Sequence, residues 1–190
     1  MYQLIVLMKE LQQSIVEFPQ KNEIRFTMKF YEENIAIIPL PNEENTILLG
    51  KCLASILQLG DCLNLSGDLG SGKTFLARSI IRFLANNNEL EVLSPTFTLV
   101  QLYEASIPIA HFDFYRLSSY QEIFELGFDE ILSERICIIE WPEIGKSFLP
   151  KKSIDIQLNQ EKNGRQATIS AEKWIISYLN KNYSFISKIE

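Results

Sequence analysis

Short apolar runs alternate with apolar stripes at helical spacing along most of the chain. Apolar or alternating runs predict strands at residues 63–66, 97–102, 107–112, 136–139, 154–158 and 167–171. Helices are predicted after the candidate N-cap Asn42, over residues 73–84 and 121–128, and from residue 172 onward. Strands that alternate with helices indicate an α/β fold, and the fully apolar run 136–139 favours a mostly parallel central sheet.

The same patterns divide the chain into three parts. Residues 1–34 form a leader that carries apolar residues near helical spacing at Leu4, Leu7, Met8, Leu11, Ile15 and Phe18. This leader is either an amphipathic helix packed on the domain or on a partner, or sequence upstream of the true start, for which Met28 is the candidate. Residues 35–171 are expected to form one domain, and residues 172–190 a helical tail.

Charge and cysteine content narrow the class of protein. The chain has 18 basic and 24 acidic residues, a net charge of −6, and no basic run, which disfavours a general nucleic-acid or membrane-surface binder. Its cysteines, Cys52, Cys62 and Cys137, are odd in number and widely spaced, so they indicate buried thiols in a reducing compartment. No apolar run approaches the roughly 20 residues of a membrane span, and a cytoplasmic location is expected.

The sequence from Gly67 to Thr74, GDLGSGKT, matches the phosphate-binding pattern G-x-x-x-x-G-K-[ST] between a predicted strand and a predicted helix. Glycines in such a loop let backbone N–H groups surround an anion, and the following helix adds its positive end. Lys73 is expected to contact the β- and γ-phosphates, and the Thr74 hydroxyl to ligate Mg²⁺. The motif therefore predicts a P-loop NTPase-like, three-layer α/β fold.

Two acids stand where a P-loop protein needs a carboxylate, at the tips of neighbouring strands. Asp113 and Glu140 each follow an apolar run, and the carboxyl ends of parallel strands are where ligands of such sheets bind. Which of the two is closer to the metal stays open. The segment NKNY at residues 180–183 lacks the aspartate of the guanine-reading pattern [NT]-K-x-D, so the expected ligands are ATP or ADP with Mg²⁺.

Several segments in one order carry a resemblance to the TsaE (YjeE) family. They are IPLP (38–41), GDLGSGKT (67–74), SPTFTLV (94–100), HFDFYRL (111–117), ELGFDE (125–130), IIEWPE (138–143) and NGRQA (163–167). The resemblance covers residues 37–171. It implies a weak ATPase needed for threonylcarbamoyladenosine, the modification beside the anticodon of tRNAs that read codons beginning with adenine. It also implies docking on the TsaB–TsaD pair, with tRNA contacted indirectly through that complex.

The resemblance implies roles for individual residues. Lys73 holds the phosphates, Thr74 and Glu140 act at the metal, and Asp113 is the acid near the attacking water and a further candidate metal ligand. The residues implied to border the nucleotide are Gly67, Asp68, Leu69, Gly70, Ser71, Gly72, Lys73, Thr74, Phe75, Thr46, Thr96, Trp141 and Arg165. Phe75 stands where the family often has a second threonine, and residues 94–96 are implied to form a switch-like loop.

Two other functions remain open at the level of sequence. One is a P-loop kinase for a small metabolite, which the lack of an arginine-rich lid segment disfavours. The other is a nucleotide-gated binding module with little hydrolysis of its own. A kinase yields ADP together with a phosphorylated acceptor, whereas an ATPase yields free phosphate.

Overall fold

The structure is a computed structural model that describes residues 29–32 and 34–186. The helical pattern predicted at residues 4–18 and the candidate start Met28 lie outside the described residues. Strand-forming residues 29–32 belong to the predicted leader, and a helix occupies the predicted tail. The domain boundaries at residues 34 and 171 stay predictions.

Strands and helices alternate through the described part of the chain. The strands β1 to β8 are Lys29–Glu32, Ile35–Leu40, Cys62–Ser66, Val100–Tyr103, Ile109–Asp113, Ile136–Glu140, Ile154–Glu161 and Gly164–Ser170. The helices α1 to α5 are Glu43–Ala54, Lys73–Leu84, Gln121–Glu125, Phe128–Glu134 and Lys173–Ile186, and a 3₁₀ turn spans Pro142–Gly145. The predicted helix at residues 73–84 is confirmed in full.

All eight strands join one sheet in the order β1-β2-β8-β7-β3-β6-β5-β4. The four strands β7, β3, β6 and β5 run parallel, and the pairs outside them are antiparallel. The predicted parallel centre is confirmed, and the carboxyl ends of β3, β6 and β5 lie side by side. Loops that follow these ends therefore share one edge of the sheet.

Helices cover both faces of the sheet, which confirms the three-layer α/β arrangement. On one face, aliphatic side chains of β3, β5, β6 and β7 pack under α1, α2 and α5. The other face is richer in aromatic residues, where Phe112, Phe114 and Phe128 meet edge to face under α3 and α4. No helix in the described ranges is both long and apolar enough to cross a membrane.

Two predicted elements differ from the structure. The strand expected at 97–102 begins only at Val100, because residues 96–98 form a turn and Leu99 has φ 64°. The helix expected at 121–128 is two short helices, because Gly127 between them takes a left-handed conformation with φ 69°. In both segments apolar residues lie at the surface, since Phe97 is 83% exposed and Phe124 is 48% exposed, so the apolar pattern there did not mark the buried side of one continuous element.

Strand β2 is absent from the predicted strands, because Pro39 within it and Pro41 after it disfavour a strand. Residues 35–40 alternate between half-buried and buried side chains and pair along their length with β8. Strand β1 pairs only with residues 35–37, so Pro39 lies past the end of β1, where a strand edge tolerates proline. The predicted N-cap is confirmed, since Asn42 Oδ1 accepts a hydrogen bond from the Asn45 N–H at 2.9 Å.

Candidate functional site

The glycine-rich loop lies between β3 and α2, at the carboxyl edge of the parallel strands. Gly67, Gly70 and Gly72 all have positive φ, at 133°, 79° and 105°. A side chain at Gly67 would collide with the Leu158 carbonyl, so β7 fixes the start of the loop. A Cβ at Gly72 would lie 3.0 Å from Nε of Arg165. The loop therefore needs glycine for its conformation and for its close neighbours.

Lys73 begins α2 and is buried, with only 5% of its surface exposed. Its ammonium group donates hydrogen bonds to the carbonyls of Gly67 at 2.6 Å and Asp68 at 2.9 Å, and lies 3.8 Å from the centre of the Trp141 ring. Burial lowers the pKa of Lys73, and nearby carboxylates, Glu140 foremost, act in the opposite direction. The cation is thus held inside the loop, facing the acids of the next strands.

Glu140 ends β6 and is held from two sides. Its Oε2 accepts a hydrogen bond from the Thr74 hydroxyl at 2.9 Å, and its Oε1 lies 2.9 Å from Nε2 of His111. Both His111 and Glu140 are almost fully buried. Thr74 belongs to α2 and His111 to β5, so both partners of this carboxylate are fixed by regular secondary structure.

Asp113 ends β5 and is the register partner of Glu140 in the sheet. Its Oδ2 accepts hydrogen bonds from the hydroxyls of Ser94 at 2.5 Å and Thr96 at 2.6 Å. Its Oδ1 accepts from the backbone N–H of Tyr115 at 2.9 Å. Two of the three donors to this carboxylate therefore come from the irregular segment that precedes β4.

These groups line one open cavity of about 380 Å³. Its lining consists of Leu69, Gly70, Gly72, Lys73, Thr74, Phe75, Arg78, Ser94, Thr96, Asp113, Tyr115, Glu140 and Trp141. The structure thus brings together the loop, both acids, Thr96 and Trp141. The ring of Tyr115 lies 4.9 Å from the Trp141 ring, centre to centre, so two aromatic side chains form part of the wall.

Some residues expected at the site lie outside the cavity lining. Gly67 and Asp68 turn their carbonyls to Lys73, and the buried Ser71 hydroxyl has no hydrogen-bond partner among the described residues. Arg165, on β8, lies against Gly72. Thr46 is buried in α1, where its hydroxyl donates to the Asn42 carbonyl at 3.4 Å. Their contacts with a nucleotide stay predictions.

Three features in or next to the cavity were missing from the expected site. Arg78 lies one helical turn after Thr74, and its Nε donates to the Val92 carbonyl at 2.9 Å. Tyr115 follows Asp113 by two residues, and His111 contacts Glu140 on the neighbouring strand. The i, i+4 spacing of Thr74 and Arg78 was a usable signal. The contact between His111 and Glu140 required knowledge of which strands are adjacent.

A parallel α/β centre with a G-x-x-x-x-G-K-[ST] loop between β3 and α2 places the chain in the P-loop fold class. The crystal structure of Bacillus subtilis YdiB has this fold in common with it. The TM-score is 0.64 at 23% sequence identity, and the match covers 85% of this chain and 99% of that one.

The sequence comparisons go further than the fold. The family model described as "Threonylcarbamoyl adenosine biosynthesis protein TsaE" matches residues 40–168, and the chain belongs to the TsaE family. A Rickettsia felis protein is 42% identical, with 80% of this chain and 91% of that protein covered. A Haemophilus influenzae protein is 34% identical, with 70% and 87% covered. Both relatives are named tRNA threonylcarbamoyladenosine biosynthesis protein TsaE.

Proposed function

We propose that this protein is an Mg²⁺-dependent ATPase of tRNA threonylcarbamoyladenosine biosynthesis that acts together with TsaB and TsaD. The ATPase assignment rests on one observation: the end of the phosphate loop lies next to two acids at the carboxyl ends of adjacent strands. The Thr74 hydroxyl lies 2.9 Å from Glu140, and Asp113 is the register neighbour of Glu140. A phosphate loop and a strand-end acid are the shared parts of P-loop hydrolases.

The loop offers the contacts that a triphosphate needs. The ammonium of Lys73 is held inside the loop by two of its carbonyls, where it can also donate hydrogen bonds to phosphate oxygens. The buried hydroxyl of Ser71, which has no hydrogen-bond partner among the described residues, adds a donor within the same loop. The amino end of α2 supplies a positive dipole at the same place. These features support binding of the β- and γ-phosphates of ATP or ADP.

The donor set suits Mg²⁺. Thr74 and Glu140 present a hydroxyl and a carboxylate, and Asp113 adds a second carboxylate beside them, so all the candidate ligands are hard oxygens. No three His, Cys, Asp or Glu side chains in the described ranges gather closely enough to hold a metal by themselves. That agrees with Mg²⁺ bound through one or two protein groups, with phosphate and water completing the shell. When bound, Mg²⁺ would neutralise charge on the phosphates.

The two acids would then divide the remaining work. Glu140 points toward Thr74, and the two residues together would hold the metal, whereas Asp113 lies beside the Ser94 and Thr96 hydroxyls at the cavity wall. In that position Asp113 is suited to orient the attacking water and accept its proton. Arg78 also lines the cavity and adds a second cation to it.

The place in tRNA modification rests on the family rather than on the cavity. The relatives are named for threonylcarbamoyladenosine biosynthesis, and the chain matches the TsaE model over most of its length. We infer that ATP hydrolysis supports turnover of the TsaB–TsaD pair in the cytoplasm, and that tRNA is contacted through that complex.

The test is phosphate release from ATP by the purified protein, with and without Mg²⁺, and with and without TsaB and TsaD. Slow Mg²⁺-dependent release that rises when both partners are added is the expected result. Release that ignores both partners would contradict the accessory role. ADP formed only together with a phosphorylated metabolite would replace the ATPase with a kinase.

A further inference from the structure

We propose that His111 is a positioning residue that fixes the Glu140 carboxylate toward Thr74 and the nucleotide-bound cation. This inference rests on the proposed binding of nucleotide with Mg²⁺. It gives a role to His111, a buried histidine to which the proposed function assigns none.

Each oxygen of the Glu140 carboxylate contacts a different side chain. His111 Nε2 lies 2.9 Å from Oε1, and the Thr74 hydroxyl lies 2.9 Å from Oε2. A carboxylate gripped at one oxygen can rotate only about that contact, so the His111 bond decides where Oε2 points. Groups that hydrogen-bond to a metal-binding carboxylate act in this way and contribute about 10- to 100-fold to metal affinity.

The buried polar contact of His111 argues against a role in packing alone. The ring is fully buried, and Nδ1 has no hydrogen-bond partner among the described residues. Within the described part of the chain, the one hydrogen-bond contact of the ring is therefore that with Glu140. A proton on Nε2 satisfies that contact and leaves only a lone pair unmatched on Nδ1.

The strand arrangement explains how one short element serves both acids. His111 and Asp113 are two residues apart on β5, so they point to the same face of the sheet, the face that α2 covers. Strand β5 thereby contributes one acid itself and holds the acid of its neighbour β6 in place. The H-x-D spacing at residues 111–113 therefore places both side chains on the side of the sheet where the two acids lie.

Two variants separate positioning from packing. His111→Leu keeps an apolar volume but removes the donor, whereas His111→Gln keeps an N–H donor near the same reach. The affinity of a fluorescent ADP analogue is measured in EDTA and across a Mg²⁺ titration, and thermal unfolding is recorded for each variant. Should His111→Leu not fold, His111→Asn, whose amide is too short to reach Glu140, takes its place.

In His111→Leu we expect affinity in EDTA to stay within about twofold, and the Mg²⁺ concentration for half-maximal enhancement to rise about 10- to 100-fold. His111→Gln should recover most of that shift. An unchanged Mg²⁺ requirement in His111→Leu would overturn the inference. Equal impairment of both variants, in step with their loss of thermal stability, would reduce His111 to a packing residue and overturn it too.

A second measurement keeps the inference apart from the proposed function. If the parent protein shows no Mg²⁺-dependent enhancement, the proposed function fails, and crystal structures of the ligand-free parent and His111→Leu decide the positioning role. We expect the Glu140 carboxylate to leave Thr74 in the variant. The same Glu140–Thr74 contact in both structures would overturn the inference whatever the metal does.

Discussion

Two acids at the same edge of the sheet are held in different ways. Glu140 and Asp113 are register partners on adjacent parallel strands, and both are buried. Glu140 is gripped by Thr74 and His111, which belong to a helix and a strand. Asp113 accepts hydrogen bonds from the hydroxyls of Ser94 and Thr96, in a segment without regular structure, and from the backbone N–H of Tyr115, just past the end of β5.

The difference suggests a division of labour. A carboxylate held by regular elements keeps one position whether or not a ligand is present, which suits a metal-binding group. A carboxylate held by a loop shares its hydrogen bonds with a segment that has few backbone bonds of its own. Any ligand that competes for Asp113, Ser94 or Thr96 also competes for the loop conformation. We therefore expect the carboxylate on β6 to keep a fixed position and the carboxylate on β5 to respond to ligands.

The largest expected effects come from neutralising each acid in turn. Glu140→Gln and Asp113→Asn should each lower ATP hydrolysis about 10²- to 10³-fold, as loss of one transition-state group does in other enzymes. Only Glu140→Gln should also weaken the Mg²⁺-dependent part of nucleotide affinity. Steady-state phosphate release and ADP titrations with Mg²⁺ or EDTA measure the two effects. If Asp113→Asn weakens Mg²⁺-dependent binding as much as Glu140→Gln, the proposed division is wrong.

Lys73 faces both acids. Removal of its ammonium group should weaken ATP binding to the same extent with and without Mg²⁺. Each charged hydrogen bond to phosphate contributes about 1.5–3 kcal/mol, so Lys73→Met should reduce ATP affinity about 10- to 150-fold per bond lost. The loss should be the same in EDTA as in Mg²⁺, measured by calorimetric titration. Lys73→Arg is the control that retains the charge with a different shape. Unchanged affinity in Lys73→Met would remove the phosphate-loop assignment.

The sequence predicts the positions of the two acids at the strand ends, but not the hydrogen bonds that hold their carboxylates. The phosphate loop, the helix after it and the strand tips at Asp113 and Glu140 follow from local patterns, because each is encoded within a few residues. The contact between His111 and Glu140 depends on strand order, which no local pattern contains. The turn at residues 96–98 overlaps the segment 97–102 that the sequence favours as a strand, and Pro39 masked β2.

Removal of the Thr96 hydroxyl tests, in the ligand-free protein, whether the loop at residues 94–96 is held by Asp113. A hydrogen bond to a charged group contributes about 1.5–3 kcal/mol, and Thr96→Val should lower the free energy of unfolding by that order. In an Asp113→Asn background the same change should cost much less, because its charged partner is gone. Urea denaturation of the four proteins of this cycle measures the coupling. Thr96→Ser, which keeps the hydroxyl, should behave like the parent.

Equal costs of Thr96→Val in the two backgrounds would show that the loop is held by other contacts. The hydrogen bond from the Leu99 N–H to the Pro95 carbonyl, at 2.6 Å, is the first such contact to consider. In that case Asp113 would be as fixed as Glu140, and the responsive role of the loop would be lost.

Thiol reactivity compares the strand that carries Glu140 with the loop that contacts Asp113, and it is the prediction with the smallest expected effect on function. Cys137 lies on β6, the strand that ends in Glu140, and burial raises the pKa of its thiol to about 12. At pH 8 it should therefore stay protonated and react with a disulfide reagent only after unfolding, as should Cys52 and Cys62. Ser94→Cys places a thiol in the half-buried loop, where it should react within minutes and more slowly once ADP and Mg²⁺ are added. Native reaction of Cys137 as fast as that of Ser94→Cys would mean that the strand opens as readily as the loop, and the contrast between the two acids would have no structural basis.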